Sequence, residues 1–599
     1  MPDLSSTSDQ AALKGGVNPN VLLPVLWLAA TVAIALPSIN GSVFDAMSTD
    51  DAMRLVQVRD WIGGQGWFDL FQHRLDPPGV SMHWSRVVDI PLAALILMLR
   101  PLIGTHGAEA VTLFLWPLLT FAAALVLVAA IARQMSGGAA NPQITAGVLA
   151  VLSTTALIHF RPAAIDHHNA QIVLLLALVL LTSQIEQSVP KAALGGLVAS
   201  LSLAIGIEML PAIAAIGLAV FGLLIWRGAS VSRQVGAFGA ALAASSLLLA
   251  AALLRLPSLA SPVCDTFGGP VLLLAAGGGT GLMVMAGIDR YRSTLRTRLT
   301  TGATVTIALV TVFLSLFAGC IASPYAGLDP LVISLWVDKV AESMSLATML
   351  ELAPQKVPGF YGFPLITMGF ALAALRRSEP DGRFRWILGI MTLAALIGLS
   401  MWEMRVTAPA SMTAAPIFAA SLAILWPTLA AGRGLVLLAL AVSPASLGAL
   451  GLSAKPLIDM VFRPQMTIAE PDASTCQNVS NVASMARLPK GRVMAPIDLG
   501  PLILVDTDHA VFAAPYHRNN DGNVAMLKLM LAPPTVARQI LSDYRVDYVV
   551  TCSAAPEQDL VKLAPDGLAA RLGRGETPDF LELLDLDPAN KISVWRLRK

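Results

Sequence analysis

Four stretches of the chain hold the residues best able to do chemistry. The first contains Thr49-Asp50-Asp51 and Arg54, then Arg59-Asp60-Trp61, Asp76-Pro77-Pro78-Gly79 and His83-Trp84-Ser85-Arg86. The second reads Arg161-Pro162, then Asp166-His167-His168-Asn169; the third Trp336, Asp338-Lys339 and Glu342; the fourth Met404-Arg405. Asp51, Asp166 and His168, with His83 and Glu342, offer oxygen and nitrogen ligands and no thiolate. Such a set suits Mg²⁺ or Mn²⁺ and admits Zn²⁺. The Asp-x-His spacing of Asp166 and His168 puts both side chains on one side of an extended loop. Arg405, Arg54 and Arg59 have the forked geometry that grips phosphate.

The elements that must carry these residues follow from composition. Of 599 residues, 55% are hydrophobic and only 13% charged, with a mean hydropathy of +0.68. Soluble domains carry about 25% charge, so the chain reads as a polytopic membrane protein. A net charge of +1 argues against nucleic acid as a partner. Residues 1–20 form a polar tail without a basic n-region, so 21–39 reads as a retained first span. Thirteen spans are expected: 21–39, 109–132, 143–160, 171–185, 191–208, 210–226, 235–254, 270–288, 301–320, 359–375, 385–403, 406–427 and 433–452. Residues 89–104 are apolar but short and contain Arg100, which reads as an interfacial helix, since a span needs about 20 residues.

Charge placement orients the bundle. With the N-terminus in the cytoplasm, the inside loops hold Arg290/Arg292/Arg296/Arg298, Arg376/Arg377/Arg383/Arg385, Arg133, Lys191, Arg227/Arg233 and Arg433, as positive charge prefers. Residues 40–108, 161–170, 321–358 and everything beyond 457 then lie outside. All four chemical stretches fall on that face, where ionisable groups are functional by default. A metal and arginines at an outer membrane surface describe a phosphate-bearing lipid substrate. Glu208, at an outer span end, is a candidate substrate contact but reads more readily as a snorkelled or protonated carboxyl.

Residues 457–599 read as a small α/β domain. Strands are expected at 492–497, 502–505, 510–514 and 544–550, and helices at 523–531 and 534–543. Its polar loop Tyr516-His517-Arg518 is dense in hydrogen-bonding groups. Cys476 and Cys552 both fall here, and an oxidising compartment would pair them. Cys264 and Cys320 read as unpaired.

The order of these motifs resembles that of oligosaccharyltransferase catalytic subunits, members of the GT-C superfamily of membrane glycosyltransferases. Asp51 to Asp60 with Pro77-Pro78-Gly79 and His83-Trp84 is similar to that family's first outer loop, and 89–104 to its interfacial helix. Ile165-Asp166-His167-His168 resembles the acidic second-loop motif, Lys339-Val340-Ala341-Glu342 the fifth-loop motif, and Met404-Arg405 with Ala408-Pro409 the span near the donor phosphate. The resemblance implies a GT-C-like helix bundle with a C-terminal extracytoplasmic domain, in a bacterial inner membrane. It implies an inverting transfer of sugar from a polyprenyl-(di)phosphate donor. Asp51 and Glu342 would be catalytic, Asp51, Asp166, His168 and His83 would hold the metal, and Arg405, with Arg54 and Arg59, the donor phosphate. The sequon-reading Trp-Trp-Asp-Tyr-Gly motif is replaced by Ala495-Pro496-Ile497-Asp498-Leu499-Gly500. The acceptor is therefore expected to be a glycan, a lipid or a protein site other than a sequon asparagine, with Asp498, Tyr516, His517 and Arg518 lining its place. The alternatives are a secondary transporter or flippase, or a non-catalytic relative that binds lipid-linked sugar. Against transport, the spans are almost free of acidic residues and show no repeat.

Overall fold

Lipid leaves a backbone no water to bond with, so apolar sequence crosses it as helix. A computed structural model describes residues 18–38, 41–261, 263–321, 327–427, 434–462, 476–552, 558–586 and 591–598. Arg433 and most of the N-terminal tail lie outside the described residues. Among those described, nine helices are long and apolar enough to span, or up to eleven if each of two bent pairs counts as one. Two shorter apolar helices, 168–182 and 189–205, join them. Every expected span coincides with one of these segments, and the chain is a multi-pass helical membrane protein.

Four elements of the first part of the chain bear on the site. Helix α1 (Pro19–Ala35) is the first span. Helix α2 (Thr49–Ile62) lies in the loop after it, expected on the outer face, and α3 (Arg86–Met135) follows. Helix α4 (His168–Thr182) begins at the second loop. The expected interfacial segment is the first limb of α3, which breaks at Gly104 (φ 73°), a conformation only glycine adopts freely. Deeper in the bundle, a Cβ on Gly239 would strike the carbonyl of Gly279, so small residues let those two helices close. Helix α5 (Thr407–Leu425) is the most enclosed of the spans and starts beside Arg405.

A two-stranded ribbon, β1 (Phe71–Gln72) and β2 (Val80–Ser81), sits in the first outer loop. The C-terminal domain carries a five-stranded sheet. Its strands are β3 (Arg492–Met494), β4 (Ala510–Val511), β5 (Tyr548–Cys552), β6 (Leu581–Leu583) and β7 (Ile592–Leu597), in the order β4-β3-β5-β7-β6. β3 runs parallel to β4 and β5, and β7 antiparallel to β5 and β6. The expected strand at 502–505 is instead part of helix α6 (Gly500–Asp506). A short apolar run buried on all sides has no period to tell strand from helix, and Pro501 starts a helix well. The helices α7 (Asn520–Leu531) and α8 (Pro534–Asp543) fall where expected.

The first outer loop and the C-terminal domain share one core. Val43, Phe44, Leu55, Val56 and Leu75 pack in a single cluster with Val493, Leu502, Tyr516, Val550 and Ile592. Arg74 donates to the carbonyls of Leu504 (3.0 Å) and Thr507 (2.7 Å) at the C-terminal end of α6. The Asp76 N–H bonds the Val511 carbonyl at 2.7 Å, so this loop covers the β4 edge. Cys476 bonds Cys552. Cys264 and Cys320, expected unpaired, also form a disulfide, with Cα atoms 5.3 Å apart. They are 56 residues apart in sequence, and spacing alone carries no sign of that approach.

Candidate active site

The site forms where the N-terminus of α2 meets the loop before α4. Ser48 and Asp51 make a capping box: the Ser48 N–H donates to Asp51 Oδ2 (3.0 Å) and the Asp51 N–H to Ser48 Oγ (3.2 Å). Such a box satisfies two helix-end donors at once. The other oxygen of Asp51 accepts the N–H groups of Ile165 (2.8 Å) and Asp166 (3.0 Å). Asp51 thus staples the second loop to the first, and burial raises its carboxyl above the usual range.

The side chain of Asp50 is directed elsewhere. Burial raises its carboxyl well above the ordinary value, and the charges of Asp166 and Glu342 add to that. Its charge acts on Tyr516 of the C-terminal domain, whose hydroxyl lies at the carbonyl of the preceding Thr49. Successive helical residues sit about 100° apart, which is why two adjacent aspartates serve two environments.

Asp166, His167 and His168 form the centre. Their ligand atoms all lie within 4.8 Å of one another. His167 is held between two carboxylates, with Nδ1 2.5 Å from Asp166 and Nε2 2.9 Å from Glu208. Burial opposes its protonation, but Asp166 and Glu208 outweigh burial and lift it to about 10. Burial likewise works against the Asp166 anion, yet His167, His168 and Arg54 hold it well below the ordinary range. Glu208 also accepts from Gln171 at 2.8 Å, so it is a bonded partner of His167 and not the snorkelled carboxyl the sequence suggests. Asp166 Oδ2 is buried with no hydrogen-bond donor and lies 3.5 Å from His168 Nε2. An orphaned carboxylate oxygen facing an imidazole nitrogen is a donor pair that suits a divalent cation.

The other expected residues are placed as follows. Glu342, exposed on the fifth loop, is near enough for its charge to act on Asp50 and His168. Lys339 on the same loop pairs with Asp559 of the C-terminal domain at 2.6 Å. Arg405 bonds Glu403 (2.9 Å), and its charge acts on Glu208. Tyr516 donates to the Thr49 carbonyl (3.4 Å) and meets Trp84 edge-on. His83 packs against Trp84 and His517, their rings 5.3 and 5.6 Å away. Burial, then His517 and Arg518, push its imidazole down to about 3. Asp498 accepts from Gln477 at 3.0 Å.

Two arginines expected at a phosphate are committed to the scaffold. Arg54, 1% exposed, bonds Asp89 (3.0 Å) and Asp166 (3.4 Å) and stacks on Trp84. Arg59 forks onto Glu109 with two contacts of 2.8 Å and donates to the Val505 carbonyl. Carboxylates already fill both forks. The sequence did not single out Glu208 and Asp89 as partners here; only an acid at an apolar boundary hints at either. A groove of about 860 Å³ lies on another flank, among Asp60, Asp69, Arg74 and Asp508, and the site chemistry does not use it.

No protein-family model matches the chain, and no curated protein matches it in sequence. Solved structures do match. The archaeal oligosaccharyltransferase AglB from Archaeoglobus fulgidus, in complex with an inhibitory peptide and a dolichol-phosphate, superposes with a TM-score of 0.64 at 13% identity, over 96% of this chain and 74% of that one. The Archaeoglobus fulgidus oligosaccharyltransferase in complex with Zn and sulfate matches with a TM-score of 0.63 at 14% identity, over 92% of this chain and 70% of that one. The fold is that of the oligosaccharyltransferase type of GT-C membrane glycosyltransferases.

Proposed function

We propose that the protein is a membrane glycosyltransferase that moves a sugar from a polyprenyl-(di)phosphate donor to an acceptor on the outer face of the membrane. The observation that carries this reading is the meeting of Asp50, Asp166, His168 and Glu342, with Arg405 nearby, at one rim of a GT-C-type bundle. The relatives matched in structure were solved with a dolichol-phosphate and with Zn, which supports a lipid-phosphate donor and a divalent metal here.

Asp50 takes the catalytic role that the sequence assigns to Asp51. It lies near the cluster, where a carboxylate can position the acceptor and take its proton. In the transfer, the bond from the anomeric carbon to the phosphate oxygen breaks as the acceptor atom bonds the opposite face of that carbon, inverting it. Arg405 pairs with the departing phosphate. Asp166 and His168, with Asp50, are the residues to hold a divalent cation, which would neutralise charge on that phosphate. His167, fixed between Asp166 and Glu208, orients Asp166. Glu342 and the fifth loop cover the bound substrate. The changed residues at 495–500 support an acceptor other than a sequon asparagine.

The orientation that suits this chemistry has a cytoplasmic N-terminus and a periplasmic C-terminal domain in a bacterial inner membrane. Two disulfides on the site's face support an oxidising compartment there.

The test is transfer by the full-length protein in lipid nanodiscs, supplied with polyprenyl-phosphate- and polyprenyl-diphosphate-linked sugars. Glycan and lipid profiles of a deletion strain, complemented with wild type or Asp50→Asn, would name the acceptor. Loss of transfer in Asp50→Asn and Asp166→Asn, with normal membrane insertion, supports the reading. Unchanged transfer in both sinks it.

A further inference from the structure

The chemistry above gives no part to Cys264-Asp265-Thr266, yet the outer-face loops meet there. Asp265 accepts from His517 Nε2 at 2.6 Å and from Arg518 Nε at 2.8 Å on one oxygen, and from Arg518 Nη2 at 2.7 Å on the other. The three side chains are only 18–22% exposed, so water screens this clamp little. The Thr266 hydroxyl donates to the carbonyl of His83 at 2.7 Å. Arg518 Nη1 reaches the carbonyls of Ser81 (3.4 Å) and Met82 (3.3 Å). The disulfide from Cys264 fixes this knot to Cys320, just before the fifth loop.

The knot lies beside the site. Tyr516 precedes His517, donates to the carbonyl of Thr49 beside Asp50 at 3.4 Å, and meets Trp84 with ring centroids 5.5 Å apart. Within its own domain Tyr516 is held by its N–H to the Ala514 carbonyl (2.7 Å) and by Asn523, which donates to its carbonyl (3.5 Å). Those bonds fix the turn inside the domain but do not place it beside Asp50. Placement across the two parts is shared on this flank by Asp265, the Arg518 bonds to the Ser81 and Met82 carbonyls and the Tyr516 bond to the Thr49 carbonyl, and on the other by Arg59, Arg74 and Asp76; of these Asp265 alone grips His517 and Arg518 together.

We propose that Asp265 is a positioning residue: by gripping His517 and Arg518 it seats Tyr516 against Thr49 at the start of α2, beside Asp50, and holds the His83–Trp84 wall in register. The proposal rests on the glycosyl-transfer reading for its kinetic part only. A carboxylate gripped by an arginine fork is directional as well as strong, and a shift of about 1 Å in a reacting group can lower a rate about 100-fold.

The experiment compares wild type, Asp265→Asn, Asp265→Glu and Arg518→Lys as full-length protein in nanodiscs. Two readouts are used: kcat and KM for the polyprenyl-phosphate donor, and hydrogen exchange over 81–84 and 514–519. Asp265→Asn is expected to lower kcat about 10- to 100-fold, leave the donor KM within about 2-fold, and speed exchange in those two segments alone. Asp265→Glu, which keeps the charge and the fork, should recover part of kcat; Arg518→Lys should fall between. Wild-type kcat with unchanged exchange in Asp265→Asn overturns the proposal. So does exchange that rises across the whole protein in both Asp265→Asn and Arg518→Lys, which marks a purely structural role. Should wild type itself transfer no sugar, the functional reading fails, and exchange alone still judges whether Asp265 seats the 514–519 turn.

Discussion

The back and the front of the site are built differently. At the back, every carboxylate oxygen of Asp51, Asp89 and Glu109 meets a donor: both Asp51 oxygens are bonded, Arg54, Gln57 and Arg86 share Asp89, and Arg59 fills Glu109. At the front, Asp166 Oδ2 has no donor, and negative neighbours press on Asp50. Saturated polar networks hold geometry, whereas unmatched charge waits for a ligand. The same residue types therefore do two jobs, and hydrogen-bond bookkeeping separates them where residue identity does not.

The contrast is broken most directly at the two aspartates. Asp50→Asn should cut transfer about 10²- to 10⁴-fold while thermal unfolding stays near wild type. Asp51→Asn should do the reverse, costing roughly 1–3 kcal/mol of stability through its lost bonds, with activity in the surviving folded fraction. Equal kinetic loss in both would erase the division. At the back again, Arg54→Ala leaves Asp89 and Asp166 buried and short of a partner. That should cost about 3–5 kcal/mol, read as a lower Tm or as failure to accumulate.

A smaller effect follows from His83. Its folded imidazole titrates near 3, against an unfolded value of about 6.5. Below pH 6.5 the unfolded chain binds a proton that the folded one refuses, so its contribution is full above pH 6.5. It falls by at most about 1.4 kcal/mol per unit as pH drops toward 3. His83→Gln should flatten that part of the stability–pH curve. The smallest effect belongs to Lys339→Ala. The Lys339–Asp559 pair is about half exposed, and such pairs contribute under about 1 kcal/mol. Denaturation should barely change, and a large loss would show that the fifth loop leans on this contact.

Much of this architecture was legible in the sequence, and its limits have physical causes. Apolar runs announce spans because lipid demands them, so the bundle and the break before 105 were readable from one chain. The closeness of Asp166 and His168 was readable because two side chains at that spacing stay close in any fold. That Asp51 bonds the backbone of Ile165 and Asp166 was not, since it turns on which face of α2 meets that loop. Arg54 and Arg59 carry the right fork for phosphate, but their carboxylate partners Asp89, Asp166 and Glu109 lie 35 to 112 residues away. The strand expected at 502–505 failed because uniform burial erases periodicity. The Cys264–Cys320 bond depends on loop geometry that no spacing encodes.

The shared core of the first loop and the C-terminal domain has a consequence for biogenesis. Arg59 and its acceptor at Val505 are separated by 446 residues. At synthesis rates of about 5–20 residues per second, the loop emerges roughly 20–90 s before its packing partner exists. For that interval Val43, Phe44 and Leu55 lack their lid, and the nascent protein depends on translocon or chaperone shelter. Chains arrested before 476 should therefore leave 41–85 open to protease on the far side of the membrane, and the finished chain should not.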